Sequence, residues 1–238
     1  AVCSFVSNFM ITIRPQIIKN HASGNFQAMH IQIIKSGKFG FFIMLLILLP
    51  LCGNIDYVLG LWLVDVPAHT ANFVVLVLLY SLLDGILTPI AIGVFAQGEI
   101  KAYEIALCII YAVNFIASYV CLKLGMAPET VFVLNIAFKA CVLADLLVHS
   151  KAKYAFPVHA FLKQCLLPSA VVFVLSGAFT YFMPWEAPNS FWEFLLHTLA
   201  IIICTSLMAL AIGMTKGERL FLKKNLRDKI TVKLYRKI

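Results

Sequence analysis

Residues 71–95 read ANFVVLVLLYSLLDGILTPIAIGVF, an apolar run broken by a single charged residue, Asp84. About 20 such residues cross the hydrocarbon core of a bilayer as a helix. The run is continuous and not alternating, so it reads as a helix and not as a strand of a membrane barrel. Six comparable segments accompany it: Ala1 to about Ile18, then about Ala28–Cys52, Ala102–Leu124, Thr130–His149, Leu162–Phe182 and Phe191–Met214. Lys35 and Lys38 interrupt the second, which is read as extending beyond the membrane on its charged side. The fold class expected is all-α, a polytopic membrane helix bundle of about seven transmembrane helices.

Composition points the same way. Of 238 residues, 62% are hydrophobic and 13% charged, and the mean hydropathy is +0.93. Soluble domains run roughly 45–50% apolar and about 25% charged. A soluble fold of this size needs more polar surface, so lipid must solvate the exterior. Ala1 lies inside an apolar run with no basic stretch or cleavage site, which does not read as a signal peptide. The chain is expected to be a fragment that begins inside a helix.

The connections alternate in charge. Lys19, Lys35 and Lys38 surround the first, whereas 53–70 carries Asp56 and Asp65 without a base. Lys101 marks the third and Lys151, Lys153 and Lys163 the fifth, whereas 183–190 holds only Glu186. By the positive-inside rule the basic connections and the C-terminus are cytoplasmic. From Lys216 onward the tail has nine bases against Glu218 and Asp228. Leu222, Leu226, Ile230, Leu234 and Ile238 recur every four residues. A basic amphipathic helix on anionic membrane lipids is expected, with no nucleic-acid partner.

Ionisable groups at bilayer depth are costly and informative. Asp84 shares a helix face with Tyr80, Ser81 and Thr88; it is either satisfied by neighbouring helices or acts as a cavity-lining, ion-coupling carboxylate. Lys139, one turn after Asn135, either lines a cavity and attracts an anion, pairs with a carboxylate such as Asp84, or snorkels outward. Asp145 and His149 suit a local contact, and Glu193 and His197 a structural pair. Tyr111, Asn114 and Ser118 share a face suited to interhelical hydrogen bonds or a ligand. Arg14 is either a flanking anchor or a phosphate ligand at the mouth of a cavity.

Seven scattered cysteines form no Cys-x-x-Cys pair and read as packing residues, so no metal or cofactor is expected. No phosphate-binding loop, His-Glu-x-x-His or Gly-x-Ser-x-Gly motif is present, and an enzyme is not expected.

Several short motifs resemble one family. Asn8-Phe9-Met10 leads into Arg14-Pro15-Gln16-Ile17-Ile18-Lys19 and Ala22-Ser23-Gly24-Asn25. Leu59-Gly60-Leu61-Trp62-Leu63 with Val66-Pro67 follows, then Gly98-Glu99-Ile100-Lys101-Ala102-Tyr103, then Leu124-Gly125 with Pro128. In order and spacing these resemble the polysaccharide-transporter, Wzx-like O-antigen and lipopolysaccharide branch of the MOP flippase superfamily, over roughly residues 5–150. The resemblance implies two pseudo-symmetric helical lobes. Residues 1–150 would hold five helices of the C-terminal lobe, the first truncated. Residues 151–214 would add two transmembrane helices, and 215–238 would form the cytoplasmic tail. The N-terminal lobe of the same protein would be a partner. The implied function is to flip undecaprenyl-diphosphate-linked oligosaccharide across the bacterial inner membrane by alternating access. In that setting Arg14 and Lys139 are the candidate anion ligands, with Lys35 and Lys38 assisting at the cytoplasmic mouth, Asn114 beside the path and Asp84 as ion-coupling group. A cation-coupled multidrug exporter of the same superfamily and a membrane-embedded lipid-linked sugar transferase are the competing readings.

Overall fold

The computed structural model describes residues 2–182, 188, 190–215 and 217–220, with no side-chain description for residues 2–7. Among these every regular element is helical. The long helices are α1 (Val2–Ala22), α2 (Phe26–Gly53), α4 (Thr70–Phe95), α5 (Lys101–Lys123) and α6 (Thr130–Tyr154). Short α3 (Ile55–Trp62) follows α2, and α7 (Val158–Phe161) runs through a π-helical turn at Leu162–Leu166 into α8 (Leu167–Phe182). Finally α9 (Phe191–Met208) closes with a second π-helical turn at Ala209–Gly213.

Six helices among the described residues are long and apolar enough to cross a membrane, where the sequence predicts about seven. The difference is α1. It has the length, at 21 residues, but Asn8, Thr12, Arg14, Gln16 and Lys19 dilute its apolar surface. It also runs through Pro15. Proline removes one backbone donor, and a helix packed on neighbours tolerates that loss. Met10, Ile13 and Ile17 form its buried face, which rests on α2 and α4.

Local chemistry sets the turn that follows. Gly24 has φ +69°, a left-handed conformation open to glycine at no steric cost. Asn25 then caps α2 by accepting a hydrogen bond from the Ala28 amide at 3.1 Å. The Ala-Ser-Gly-Asn stretch is thus a helix stop followed by a helix start.

The central element is α2, which packs against α1, α4, α8 and α9. Its 28 residues measure roughly 42 Å at the helical rise, longer than a hydrocarbon core of about 30 Å. Lys35 and Lys38 therefore do not break it. Close approach of α2 to α4 depends on Gly40 and Gly85: a Cβ at Gly85 would stand 2.8 Å from the Gly40 carbonyl carbon. Small residues at crossings are how helices associate where lipid removes the hydrophobic drive.

Helix α5 shows what solvates this protein. Its buried residues are Tyr103, Asn114 and Ser118, while Ile105, Ile109, Val113, Phe115 and Ile116 are exposed. That pattern reverses the amphipathicity of a soluble helix. It is stable only where the surroundings are apolar and polar groups find partners inside. The chain is therefore an all-α, multi-pass membrane helix bundle.

Candidate functional site: an ion pair between α4 and α6

At mid-span of α6, Lys139 donates a hydrogen bond to the Asp84 carboxylate at mid-span of α4. Tyr80, one turn before Asp84, places its ring centroid 4.0 Å from the Lys139 ammonium. An aromatic face so placed stabilises a cation electrostatically. Burial is uneven: the Lys139 side chain is 7% exposed and that of Asp84 41%. The ammonium is thus enclosed, whereas the carboxylate has one open side.

The polar region continues onto α5. Asn114 Nδ2 donates to Asn135 Oδ1 at 2.5 Å, and Asn135 lies one turn before Lys139 on α6. Tyr111 of α5 lies near Tyr80, Lys139 and Asp84. Asn114 Oδ1 is buried without a protein partner among the described residues. Three helices therefore bring an ammonium, a carboxylate, two amides and two phenols to one level. Unpaired, Lys139 would carry a desolvation cost of several kcal/mol, which is the physical reason that Asp84 stands against it. On the same two helices Leu79, Leu83 and Ile136 line an apolar crevice of about 370 Å³ that reaches Phe173 of α8.

Of the residues singled out from sequence, Lys139, Asp84 and Asn114 meet here. Arg14 and Lys35 are exposed on α1 and α2. Among the described residues neither forms an ion pair or hydrogen bond with the Asp84–Lys139 pair. Lys38 has a separate role. It is 1% exposed and donates to Glu218 Oε2 at 2.6 Å, so it is a neutralised charge and not an open cation beside Lys35.

Glu218 sits in a reciprocal cap. The Thr215 amide donates to Glu218 Oε2 at 2.8 Å, and the Glu218 amide donates to Thr215 Oγ1 at 3.4 Å. Burial pushes the Glu218 carboxyl up, but the hydrogen bonds from Lys38 and Thr215 outweigh it and hold the group below the usual glutamate range. Arg219 secures the adjoining helix end by donating to the Ala211 and Met214 carbonyls at 2.6 and 3.0 Å. The Thr215-x-x-Glu218 spacing is a capping-box signature that sequence alone carries. Nothing in it says that Lys38 is the partner. The apolar stripe expected over 222–238 lies outside the described residues.

Among the described residues three further ion pairs are present, Lys153–Glu99, Asp145–His149 and His69–Glu129. Asp145 and His149 form the expected local contact, Nδ1 to Oδ1 at 3.2 Å. His69 and Asn72 hold Glu129 at 2.5 and 3.1 Å. The Asn72 hydrogen bond, joined by that of His69, lowers the Glu129 pKa. No group of three His, Cys, Asp or Glu able to hold a metal is found among the described residues.

No protein-family model, curated protein or solved structure matches this chain.

Proposed function

We propose that this chain is part of a membrane transporter that moves a lipid-linked oligosaccharide with a phosphate-bearing head. One observation carries this reading: a buried ammonium at mid-span, held by a carboxylate that is itself half open. Lys139 is enclosed by Asp84 and Tyr80, and the open side of Asp84 gives an incoming phosphate a route to displace it. Phosphate then takes over as counter-ion to Lys139. Protonation of Asp84 favours the same exchange by removing the competing charge. The apolar crevice on the same helices suits the lipid chain. Dispersed chemistry on separate helices fits a transport path better than an active site.

The resemblance in the loop motifs supports the same reading. So does the alternation of basic and acidic connections, which by the positive-inside rule favours a cytoplasmic side for the basic ends and the C-terminus; the resemblance implies that the membrane is the bacterial inner one. Lys35 and Arg14 then face the cytoplasmic side, where they can steer an anion. Alternating access would require the N-terminal lobe that the resemblance implies.

A second reading, a cation-coupled multidrug exporter, is favoured by one feature: Asp84 neutralises Lys139, so the site has no net positive charge at rest. Export of surface polysaccharide in cells dependent on the intact protein separates the two. Lys139→Ala should abolish polysaccharide export with normal insertion, and Lys139→Arg should retain part of it. Full export by Lys139→Ala would overturn the phosphate-site reading.

A further inference from the structure

Helix α5 starts at Lys101 and ends at Lys123. Its 23 residues measure roughly 35 Å at the helical rise, slightly more than a hydrocarbon core of about 30 Å. Lys101 therefore stands at a membrane boundary. Ile105, Ile109 and Ile116 follow it on the same helix face, and all three are exposed. Lipid chains lying along this face bring their heads to Lys101.

A cavity of about 520 Å³ opens at that level, within the roughly 300–1,000 Å³ of known ligand pockets. Ile100, Ala102 and Ile105 supply its apolar lining, and Lys101 and Lys153 its ammonium groups. Lys153 belongs to the last turn of α6 and is brought here by the packing of α6 on α5. The turn before α5 is tight: Gly98 has φ +81°, and the Ile100 amide donates to its carbonyl at 3.2 Å. Two helices and a glycine turn thus set two cations over an apolar surface.

Charge narrows the ligand. Glu99 is the acid in the lining; it accepts a hydrogen bond from Lys153 and is 81% exposed. An ion pair so exposed contributes little, so Lys153 turns to another anion at small cost. Glu104, the acid in the first turn of α5, does not line the cavity. Two lysines against Glu99 leave one positive charge in excess, which matches a phosphodiester monoanion. A zwitterionic head brings no net charge and leaves that excess uncompensated. The chain's own tail is a poor occupant, because residues 221–238 carry seven Lys or Arg and the single acid Asp228.

We propose that this cavity binds the phosphodiester head of an anionic phospholipid between Lys101 and Lys153, with its acyl chains along Ile105 and Ile109. Basic pockets between transmembrane helices recognise anionic heads by this combination of charge and depth. The site shares no residue with the Asp84–Lys139 pair. Its occupancy depends neither on the transport reading nor on which side of the membrane it faces.

The test uses the whole chain in phosphatidylcholine nanodiscs containing a small fraction of photoactivatable phosphatidylglycerol, with crosslinked peptides located by mass spectrometry. Labelling is expected within residues 98–109. Unlabelled dioleoylphosphatidylglycerol should compete with it, and dioleoylphosphatidylethanolamine should not. Each lysine near an anionic head is worth about fivefold, so Lys101→Ala with Lys153→Ala should lower labelling about 25-fold. Both side chains reach solvent, so the double variant keeps the fold. Lys123→Ala, at the opposite end of α5, should label as the parent does, and labelling of the basic tail should be unchanged in every variant. Unaltered labelling of 98–109 in the double variant would overturn the proposal, as would an equal fall at the tail or equal competition by phosphatidylethanolamine. Displacement by glycerol 3-phosphate added to the buffer would overturn the assignment to a lipid.

Discussion

Lys38 on α2 and Glu218 beyond α9 are 180 residues apart in the chain and 2.6 Å apart in space. The ammonium is 1% exposed and the carboxylate side chain 9%. A charge so enclosed needs its partner, so the segment after α9 is tied to the centre of the bundle. Removing one member of a buried pair typically costs about 3–5 kcal/mol, whereas replacing both by apolar groups is often neutral. Lys38→Met and Glu218→Leu should each lower the detergent-solubilised melting temperature, and the double variant should recover most of the loss. Additive losses would mean that the pair is not energetically coupled.

The same pair sets a pH dependence. The folded pKa of Glu218 is lowered, so its contribution is complete above the unfolded value and is lost as pH falls through the folded one. Hydrogen exchange at residues 217–220 should therefore be slow at neutral pH and accelerate, relative to the intrinsic rate, below about pH 4, the ordinary glutamate range. Glu218→Gln should remove that acid-dependent step.

For Asp84 and Lys139 the prediction separates stability from transport. Asp84→Asn alone leaves Lys139 buried without a counter-ion and should destabilise the bundle by several kcal/mol. Asp84→Asn with Lys139→Gln keeps a hydrogen-bonding pair of similar size and should restore most of the thermal stability. Polysaccharide export should stay absent in the double variant, because no cation remains to receive the phosphate.

Helix contact between α2 and α4 allows no side chain at Gly85. A Cβ there lies 2.9 Å from the Phe41 amide nitrogen, a backbone atom that cannot swing away. Gly85→Ala should cost about 1–3 kcal/mol by overpacking, despite alanine's better helix propensity. Gly177→Ala, which meets open space, should be neutral or stabilising by the same melting assay.

Sidedness is open to direct measurement. In intact cells and a cysteine-free background, an impermeant maleimide should label Val64→Cys, exposed in the acidic 53–70 connection. Lys101→Cys should react only after the membrane is permeabilised. The reverse pattern would invert the orientation inferred from charge.

What the chain by itself determined was its solvent and its order of helices. Runs such as 71–95 must leave water, and a backbone in lipid must satisfy its own hydrogen bonds, so helical spans follow from local sequence alone. Gly24 and Asn25 marked a turn for equally local reasons, left-handed φ and side-chain capping. Asp84, Lys139 and Asn114 stood out because charge and amide groups at that depth are costly wherever they point.

Partner choice was a tertiary matter. An ammonium at position 139 is equally consistent with a cavity, a carboxylate or an outward reach, and only the packing of α4 on α6 selected Asp84. Lys35 and Lys38 stand at i, i+3 spacing on neighbouring positions of one helix face, yet packing encloses Lys38 against Glu218 and leaves Lys35 exposed. Neither the Gly40–Gly85 approach nor the Lys38–Glu218 pair has a local signature. Each arises where helices distant in sequence meet, and distance along the chain carries no information about that meeting.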